Sequence, residues 1–421
     1  MTSIVSIDPQ TREGLRCNGT RLWDSLMTLA RIGATPAGGV RRLTLTELDG
    51  ESRRLVIDWL RDCGCGIRID AIGNIHATRP GTEDLDPIGM GSHLDTQPNG
   101  GRFDGAYGVL AGLEVLRSLD DHGIRTRHPV NVTIWTNEEG SRFTPVMMGS
   151  GVYAGAFTLE HCLAQRDREG RSVGDALDAI GFAGRDAAPA LAAYFEPHIE
   201  QGPILEAEGI TIGAVEGALG QRWFDVLITG QDAHAGPTPL AMRRDALLGA
   251  ARIIAAVRRI AEEHPDEARG TVGELSVTPN SRNVIPGRVA LTVDFRNARD
   301  ETLSRMVDAL RAECAAIAAS DRLEIGLEEV VYFPPCHFDP ALVTLVEQAA
   351  ARLGHSHRRI TSGAGHDAVY VARRHPAAMI FVPCEGGISH NEIENAQPEH
   401  LAAGTDVLLE AVLAFDRDAA R

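Results

Sequence analysis

Apolar positions recur along this chain with two periods, and the period changes from segment to segment. Residues 20–33 (TRLWDSLMTLARIG), 46–63 (TELDGESRRLVIDWLRDC) and 105–122 (GAYGVLAGLEVLRSLDDH) carry apolar side chains at helical spacing. Between and beyond them lie short apolar or β-branched runs that predict strands: Ile67–Ile69, Ile75–Thr78, Pro87–Ser92, Val130–Thr136, Ala193–Glu200 and Ala378–Pro383. Strands alternating with helices predict an α/β fold with a central sheet flanked by helices.

From about Gln221 to Pro334 the rhythm differs. Arg222–Gly230 predicts a strand, and Leu240–Glu263 a long helix entered through Pro237 and Pro239. Gly270–Thr278 and Gly287–Arg296 read as strands, Glu301–Ser320 as a helix with Asp300 as its N-cap, and Leu323–Phe333 as a last strand. The order βαββαβ is ferredoxin-like. It predicts an inserted α+β domain at 216–331, interrupting a first domain made of 1–215 and 332–421. In Leu240–Glu263, Leu247, Ile254 and Ile260 form an apolar stripe beside Arg252, Arg258 and Arg259, of the kind that packs on the domain's own sheet.

Polar residues concentrate just past the predicted strands. Gly91-Ser92-His93-Leu94-Asp95-Thr96 follows one, and Gly101-Arg102-Phe103-Asp104-Gly105 comes soon after. Asn137-Glu138-Glu139-Gly140 follows VNVTIWT, His198 lies within AYFEPHIE, and Ser389-His390-Asn391-Glu392 follows AMIFVP. Open parallel sheets gather ligand sites at the carboxyl ends of their strands. Two divalent ions close together need a bridging carboxylate, a mixed His and carboxylate shell, and a further carboxylate to move a proton. In that arrangement Asp104 bridges, His93 and His198 complete one ion, Glu139 and His390 complete the other, and Glu138 is the base. Asp95, two residues from His93, is placed to accept the second ring N–H and fix its tautomer. Each element has a plainer role when taken singly: a strand-end histidine, a solvent-facing Glu-Glu pair, a turn aspartate. Their joint position after strands carries the chemistry.

Composition narrows the alternatives. The chain has 421 residues, and its 41 basic against 58 acidic side chains give a net charge of −17. Such a surface repels phosphate backbones, which argues against nucleic acid as a partner. All of the basic side chains are arginine, which excludes Schiff-base catalysis, lysine-anchored pyridoxal phosphate and a P-loop lysine. The seven cysteines, at 17, 63, 65, 162, 314, 336 and 384, form no C-x-x-C pair and read as reduced thiols of a cytoplasmic protein. MTSIVSIDPQ shows no signal peptide, and the sequence has no run of 18 apolar residues for a membrane span.

The strings GSHLDTQPNGGRFDGAYGVLAGLEVL, TNEEGSRF, EPHIEQGPILE, GQDAHAGPTPLAMRRDAL, PNSRNVIPG, VDFR, SGAGHDA and GGISHNE run through nearly the whole chain. In this order they resemble the amidase, hydantoinase/carbamoylase family, a branch of the dimetal aminoacylase and carboxypeptidase superfamily. The resemblance implies a dimetal exopeptidase-like catalytic domain with a mixed sheet, carrying two zinc or manganese ions, with cobalt or nickel as alternatives. It implies a lid domain that also forms a homodimer. It implies substrate contacts from Gln221, Asn283 and Arg296, and a His234 that the partner subunit brings to the reacting carbonyl.

The residues themselves agree with parts of this. In VALTVDFR, Val289, Leu291, Val293 and Phe295 alternate toward a core, so Asp294 and Arg296 share the other face. Arginine grips a carboxylate with two parallel hydrogen bonds; a pairing of Arg296 with Asp294 or Asp300 is the structural alternative. Asn283 is otherwise a turn residue and His234 a loop histidine. Residues 362–367 open a predicted helix, Ala368–Arg374, whose backbone N–H groups could hold an anion, and the resemblance adds His366 to the pocket lining. The implied reaction is hydrolysis of the carbamoyl C–N bond of an N-carbamoyl-L-amino acid, giving ammonia, carbon dioxide and the amino acid. Allantoate amidohydrolase and β-ureidopropionase are the neighbouring readings. A dipeptidase, an aminoacylase or a catalytically dead binding protein stands further off.

Overall fold

The computed structural model describes residues 15–264 and 268–418. These form two compact units, one running to Glu216 and resuming at His337, the other spanning Gly217–Cys336.

In the first unit four parallel strands lie side by side in the order Val130–Trp135, Ile88–His93, Ala193–Ile199 and Ala377–Val382. Every residue of these four strands is buried, as their nearly unbroken apolar runs require. Antiparallel strands extend the sheet on both sides: Ile75–Arg79 beyond Val130–Trp135, and Ile212–Ala218 beyond Ala377–Val382. The sheet is therefore mixed, with a parallel centre. Helix Ala106–Asp121 packs on Ile88–His93 and against the C-terminal helix Pro398–Asp418. It is buried continuously from Ala106 to Leu116, so it reads as apolar almost all round. Among the described residues no helix is long and apolar enough to cross a membrane.

Helix Glu47–Asp62 shows how the chain supports the strand ends. Thr46 caps it by accepting from Asp49 N, and the Asp49 carboxylate accepts from Leu45 N at 2.7 Å and Arg53 Nε at 2.9 Å. Both partners of this ion pair are 1% exposed or less. Arg53 also donates to Gly73 O at 2.8 Å and to Thr136 Oγ1 at 3.3 Å, two residues before Glu138. Removing one partner of such a pair leaves a buried charge uncompensated. Asp49→Ala is therefore expected to lower the unfolding free energy by about 3–5 kcal/mol. Urea unfolding followed by tryptophan fluorescence measures this, and a change below about 1 kcal/mol would contradict it.

In the second unit the sheet order is Leu275–Thr278, Arg288–Asn297, Gly220–Thr229, Glu324–Phe333, and each neighbouring pair is antiparallel. This is a ferredoxin-like βαββαβ arrangement. Phe224, Val226, Ile228, Val289, Leu291, Val293 and Phe295 form its inner face against helices Ala246–Glu262 and Asp300–Asp321.

Several expectations need correction here. The long helix expected from Leu240 begins only at Ala246, capped by the Asp245 carboxylate; Leu240–Met242 is a single 3₁₀ turn, because the prolines before it leave the chain extended. The expected strand Gly270–Thr278 is two strands, Arg269–Thr271 and Leu275–Thr278, both paired to Arg288–Asn297. Asp300 is the first helical residue rather than the N-cap, and it accepts from the Tyr332 hydroxyl at 2.9 Å. Of the apolar stripe on Ala246–Glu262, Ile260 is buried, but Leu247 and Ile254 are 37% and 36% exposed. The buried face combines Ile253, Val257 and Ile260 with the small residues Ala246, Gly249, Ala250, Ala256 and Ala261, which let the helix lie close to the sheet.

Candidate metal centre

The carboxyl ends of the four parallel strands converge. Strand Ile88–His93 ends in His93, Ala193–Ile199 carries His198, Val130–Trp135 leads to Glu138 and Glu139, and Ala377–Val382 leads to the loop holding His390. Asp104 stands among them at the start of helix Ala106–Asp121. One of its oxygens, Oδ1, lies 3.6 Å from His93 Nε2 and 3.2 Å from His198 Nε2. The other, Oδ2, lies 3.3 Å from His390 Nε2, which is itself 3.3 Å from Glu139 Oε2. Two three-residue groups thus share one carboxylate, His93–Asp104–His198 and Asp104–Glu139–His390, each with spacing that could hold a metal ion. Glu138 Oε2 sits 3.4 Å from His93 Nε2.

Backbone geometry is unusual where these side chains emerge. Asn137, Met147, Gln201 and His390 all have positive φ, between 50° and 57°, although none is glycine. Such strain concentrates at sites where direction matters more than local stability. Gly105, with φ +63°, is needed sterically as well: a Cβ there would lie 2.4 Å from the His93 ring.

Hydrogen bonds fix the ring orientations. His93 Nδ1 contacts Asp95 O at 2.9 Å and His198 Nδ1 contacts Ile199 O at 2.8 Å, so each ring turns Nε2 toward Asp104. The role expected of the Asp95 side chain is thereby corrected. Its carboxylate is 3.9 Å from His93 Nδ1, too far for a hydrogen bond, and the backbone carbonyl of the same residue takes that N–H. The carboxylate instead accepts from Glu138 N and Glu139 N, both at 3.3 Å, and so holds the peptide carrying both glutamates. Gln97 secures Glu139 further through N···Oε1 at 3.0 Å and Nε2···Oε2 at 2.7 Å.

The electrostatics follow from crowding carboxylates and imidazoles out of water. Burial opposes the charged form of His93, but Glu138, Asp104 and Asp95 outweigh it and raise its pKa. Burial also opposes ionisation of Asp104, but hydrogen bonds from His198, His390 and His93 hold its pKa well below the usual range. Glu138 is pushed well up by burial, with Asp367, Glu139 and Asp104 adding repulsion. Burial, then Asp104, pushes Glu139 up to about 7, and the Asp104 hydrogen bond leads in raising His390 to about 9. Arg53 and Arg42 act on Asp95, whereas Asp104, Glu138 and Glu139 are offset by imidazoles, so this cluster of carboxylates is short of fixed positive charge. Mixed nitrogen and oxygen donors of this kind suit divalent transition metals, so the residues fit a pair of ions. Binding ions there would displace the imidazole protons.

His366 is buried, its Nε2 2.9 Å from Ser362 Oγ and its ring edge-on to His198 at 4.6 Å; burial and His198 push its pKa well down. The helix after it, expected to be Ala368–Arg374, is only Asp367–Val371. Its backbone is not open to an external anion at Ala368, whose N–H is taken by Glu196 Oε2 at 2.7 Å.

The remaining expected residues lie in the second unit, in two separate pairs. Gln221 and Arg296 are direct cross-strand partners at one end of the sheet. Arg296 is paired with Asp294, Nη2 to Oδ2 at 3.0 Å. His234 and Asn283 sit beyond the other end, joined by the short ladder that pairs His234 with Val284. Ala235 N donates to Asn283 O at 2.9 Å. His234 is exposed, and its Nδ1 accepts from Gly236 N at 3.1 Å, which leaves the neutral ring's proton on Nε2. Gln221 and Thr229 lie near opposite ends of one strand, roughly 27 Å apart at about 3.4 Å per residue, and the chain reaches His234 only past Thr229.

Sequence reasoning missed Gln97, Gln201, Ser389 and Glu394. Gln201 Nε2 and Ser389 Oγ lie 2.9 and 3.0 Å from Asp104 Oδ2. Their only signal was position, one or four residues from a candidate ligand or inside a matching string.

Parallel strand ends that surround a shared aspartate in this way set two candidate metal-binding groups side by side, as a hydrolase that activates water with metal ions requires. The chain belongs to Peptidase family M20/M25/M40, whose sequence pattern matches residues 89–414, and it is a hydrolytic enzyme of that type. Among curated relatives, N-carbamoyl-L-amino-acid amidohydrolase of Rhizobium meliloti is 50% identical over 95% of this chain and 97% of its own length. Allantoate amidohydrolase of Bacillus subtilis is 35% identical over 91% and 95%. Among solved structures, a hydantoinase/carbamoylase family amidase from Burkholderia multivorans matches with TM-score 0.93 and 55% identity, covering 95% of this chain and 98% of that one.

Proposed function

We propose that this enzyme hydrolyses the carbamoyl C–N bond of N-carbamoyl-L-amino acids, releasing ammonia, carbon dioxide and the free amino acid. The observation that carries the hydrolytic chemistry is the shared Asp104, with His93 and His198 on one oxygen and His390, itself against Glu139, on the other. The name borne by the 50% identical relative supports the carbamoyl substrate.

In this reading His93, Asp104 and His198 hold one ion, and Asp104, Glu139 and His390 hold the second. Zinc or manganese suits the donors, with cobalt or nickel as alternatives. When bound, the ions supply Lewis-acid activation of water at neutral pH. Glu138, buried and held by Asp95 through its own backbone, takes the proton from water and returns it to the leaving nitrogen. Arg296, oriented by Asp294, grips the substrate carboxylate together with Gln221, and Asn283, beside His234 and reaching the substrate from the same chain as it, holds the substrate's polar groups. His366 lines the pocket as a neutral ring. His234 presents an Nε2–H to the developing oxyanion.

The wide separation of the two pairs in the second unit supports a homodimer. The two pairs flank opposite ends of a strand roughly 27 Å long, which favours Arg296 and His234 reaching one small ureido acid from different chains. In that arrangement His234 comes from the partner subunit. Beside it, Leu240 and Met242 are 81% and 69% exposed, and Leu248 is 55% exposed, as apolar residues are where a second subunit covers them. The unit that carries these residues then serves as lid and dimerisation domain. The seven free cysteines suit a cytoplasmic location.

Steady-state kinetics on N-carbamoyl-L-methionine, allantoate and β-ureidopropionate test the substrate assignment. The first is expected to give the highest kcat/KM, by about tenfold or more. A preference for allantoate would overturn the carbamoyl reading in favour of the activity named for the Bacillus subtilis relative. Amino acid release from a dipeptide without ammonia would overturn both.

A further inference from the structure

Glu394 is a carboxylate that the chemistry above leaves unused. It is 1% exposed, and among the described residues no arginine or histidine is hydrogen-bonded to it. One oxygen accepts from Phe103 N at 2.9 Å and Asp104 N at 3.2 Å. The other lies 2.8 Å from Ser389 Oγ, which is also 3.0 Å from Asp104 Oδ2. Space is made for this group: a Cβ on Gly101 would fall 2.0 Å from the Glu394 carboxyl carbon and Oε1. A buried carboxylate without a cation costs stability unless its hydrogen bonds do something specific.

What they do is join two segments. Asp104 sits on the 101–105 turn, and His390 on the loop that also contains Ser389 and Glu394. Oδ2, the Asp104 oxygen that Ser389 reaches, faces His390 and Glu139. The first group is anchored differently, since His93 and His198 lie in central strands held by the sheet.

We infer that Glu394, acting through Ser389 and the backbone of Asp104, is a positioning residue for one of the two ions, the one between Asp104, Glu139 and His390. The other ion, between His93, Asp104 and His198, does not depend on it. The inference rests on the two-ion reading of the site.

Calorimetric titration of the chelator-stripped, full-length protein with manganese(II) alone tests it. Wild type is expected to bind two ions per chain. In Glu394→Ala one ion should bind at least about tenfold more weakly while the other stays within about threefold, in the range for loss of an outer partner of a metal ligand. Glu394→Gln should rescue: its carbonyl still accepts from Phe103 N and Asp104 N, and its amide donates to Ser389. Ser389→Ala removes the hydroxyl between Glu394 and Oδ2, leaves the Glu394 bonds to Phe103 N and Asp104 N in place, and should weaken the same ion. If Glu394→Ala does not fold, Ser389→Ala and Glu394→Gln decide the matter alone. Equal weakening of both ions, or two unchanged ions in Ser389→Ala, overturns the inference. Absence of any bound ion in wild type overturns the two-ion reading instead, a distinct outcome.

Discussion

Glu138→Gln is expected to lower kcat by about 10²–10⁴-fold while two ions remain bound and KM changes little. The substitution keeps volume and one hydrogen-bond acceptor, and removes only the ability to take up and release a proton. The backbone that positions Glu138 is untouched, because Asp95 holds the N–H groups of residues 138 and 139 rather than any side-chain atom. Burial and the neighbouring carboxylates Asp367, Glu139 and Asp104 raise the proton affinity of Glu138, which suits a group that must first accept a proton and then donate it. Single-turnover assays alongside metal analysis separate the two possible effects. Retention of more than about a tenth of wild-type kcat with full metal content would remove Glu138 from the role of base. Loss of metal together with activity would make it a ligand instead.

How much of this was legible beforehand depended on the range of the interaction. The strands were readable because a parallel centre buries both faces, so VNVTIW and AYFEPHI stand out as short β-branched or aromatic-rich stretches interrupted by few polar residues. The residues that meet around Asp104 were readable because a parallel sheet delivers its strand ends to one place. Side-chain direction was not. Proximity of Asp95 to His93 along an extended chain predicted contact between their side chains, yet the shorter path runs to the Asp95 carbonyl, and the carboxylate turns to backbone N–H groups 43 and 44 residues away. The N-terminus at Ala368 looked open to anions because the carboxylate that fills it, Glu196, is 172 residues distant. Helix Ala246–Glu262 was misread in a related way. Its buried face mixes Ile253, Val257 and Ile260 with glycine and alanine, which carry little hydrophobic signal, while Leu247, Leu248 and Ile254 lie outside it.

Those exposed side chains connect to the second large effect. His234→Ala is expected to reduce kcat by about 10²–10³-fold, the range for loss of one oxyanion donor. The origin of the active histidine can be read by mixing this variant with Glu138→Gln under conditions that exchange subunits. Each variant alone is nearly inactive. If His234 serves the partner's site, a mixed dimer contains one site with an intact Glu138 and an intact His234 from across the interface. Half the dimers in an equal mixture are mixed, so activity should recover to about a quarter of wild type. If His234 serves its own chain, neither site in a mixed dimer has both groups, and mixing recovers nothing. The placement of the Gln221–Arg296 pair and the His234–Asn283 pair at opposite ends of a strand roughly 27 Å long favours recovery.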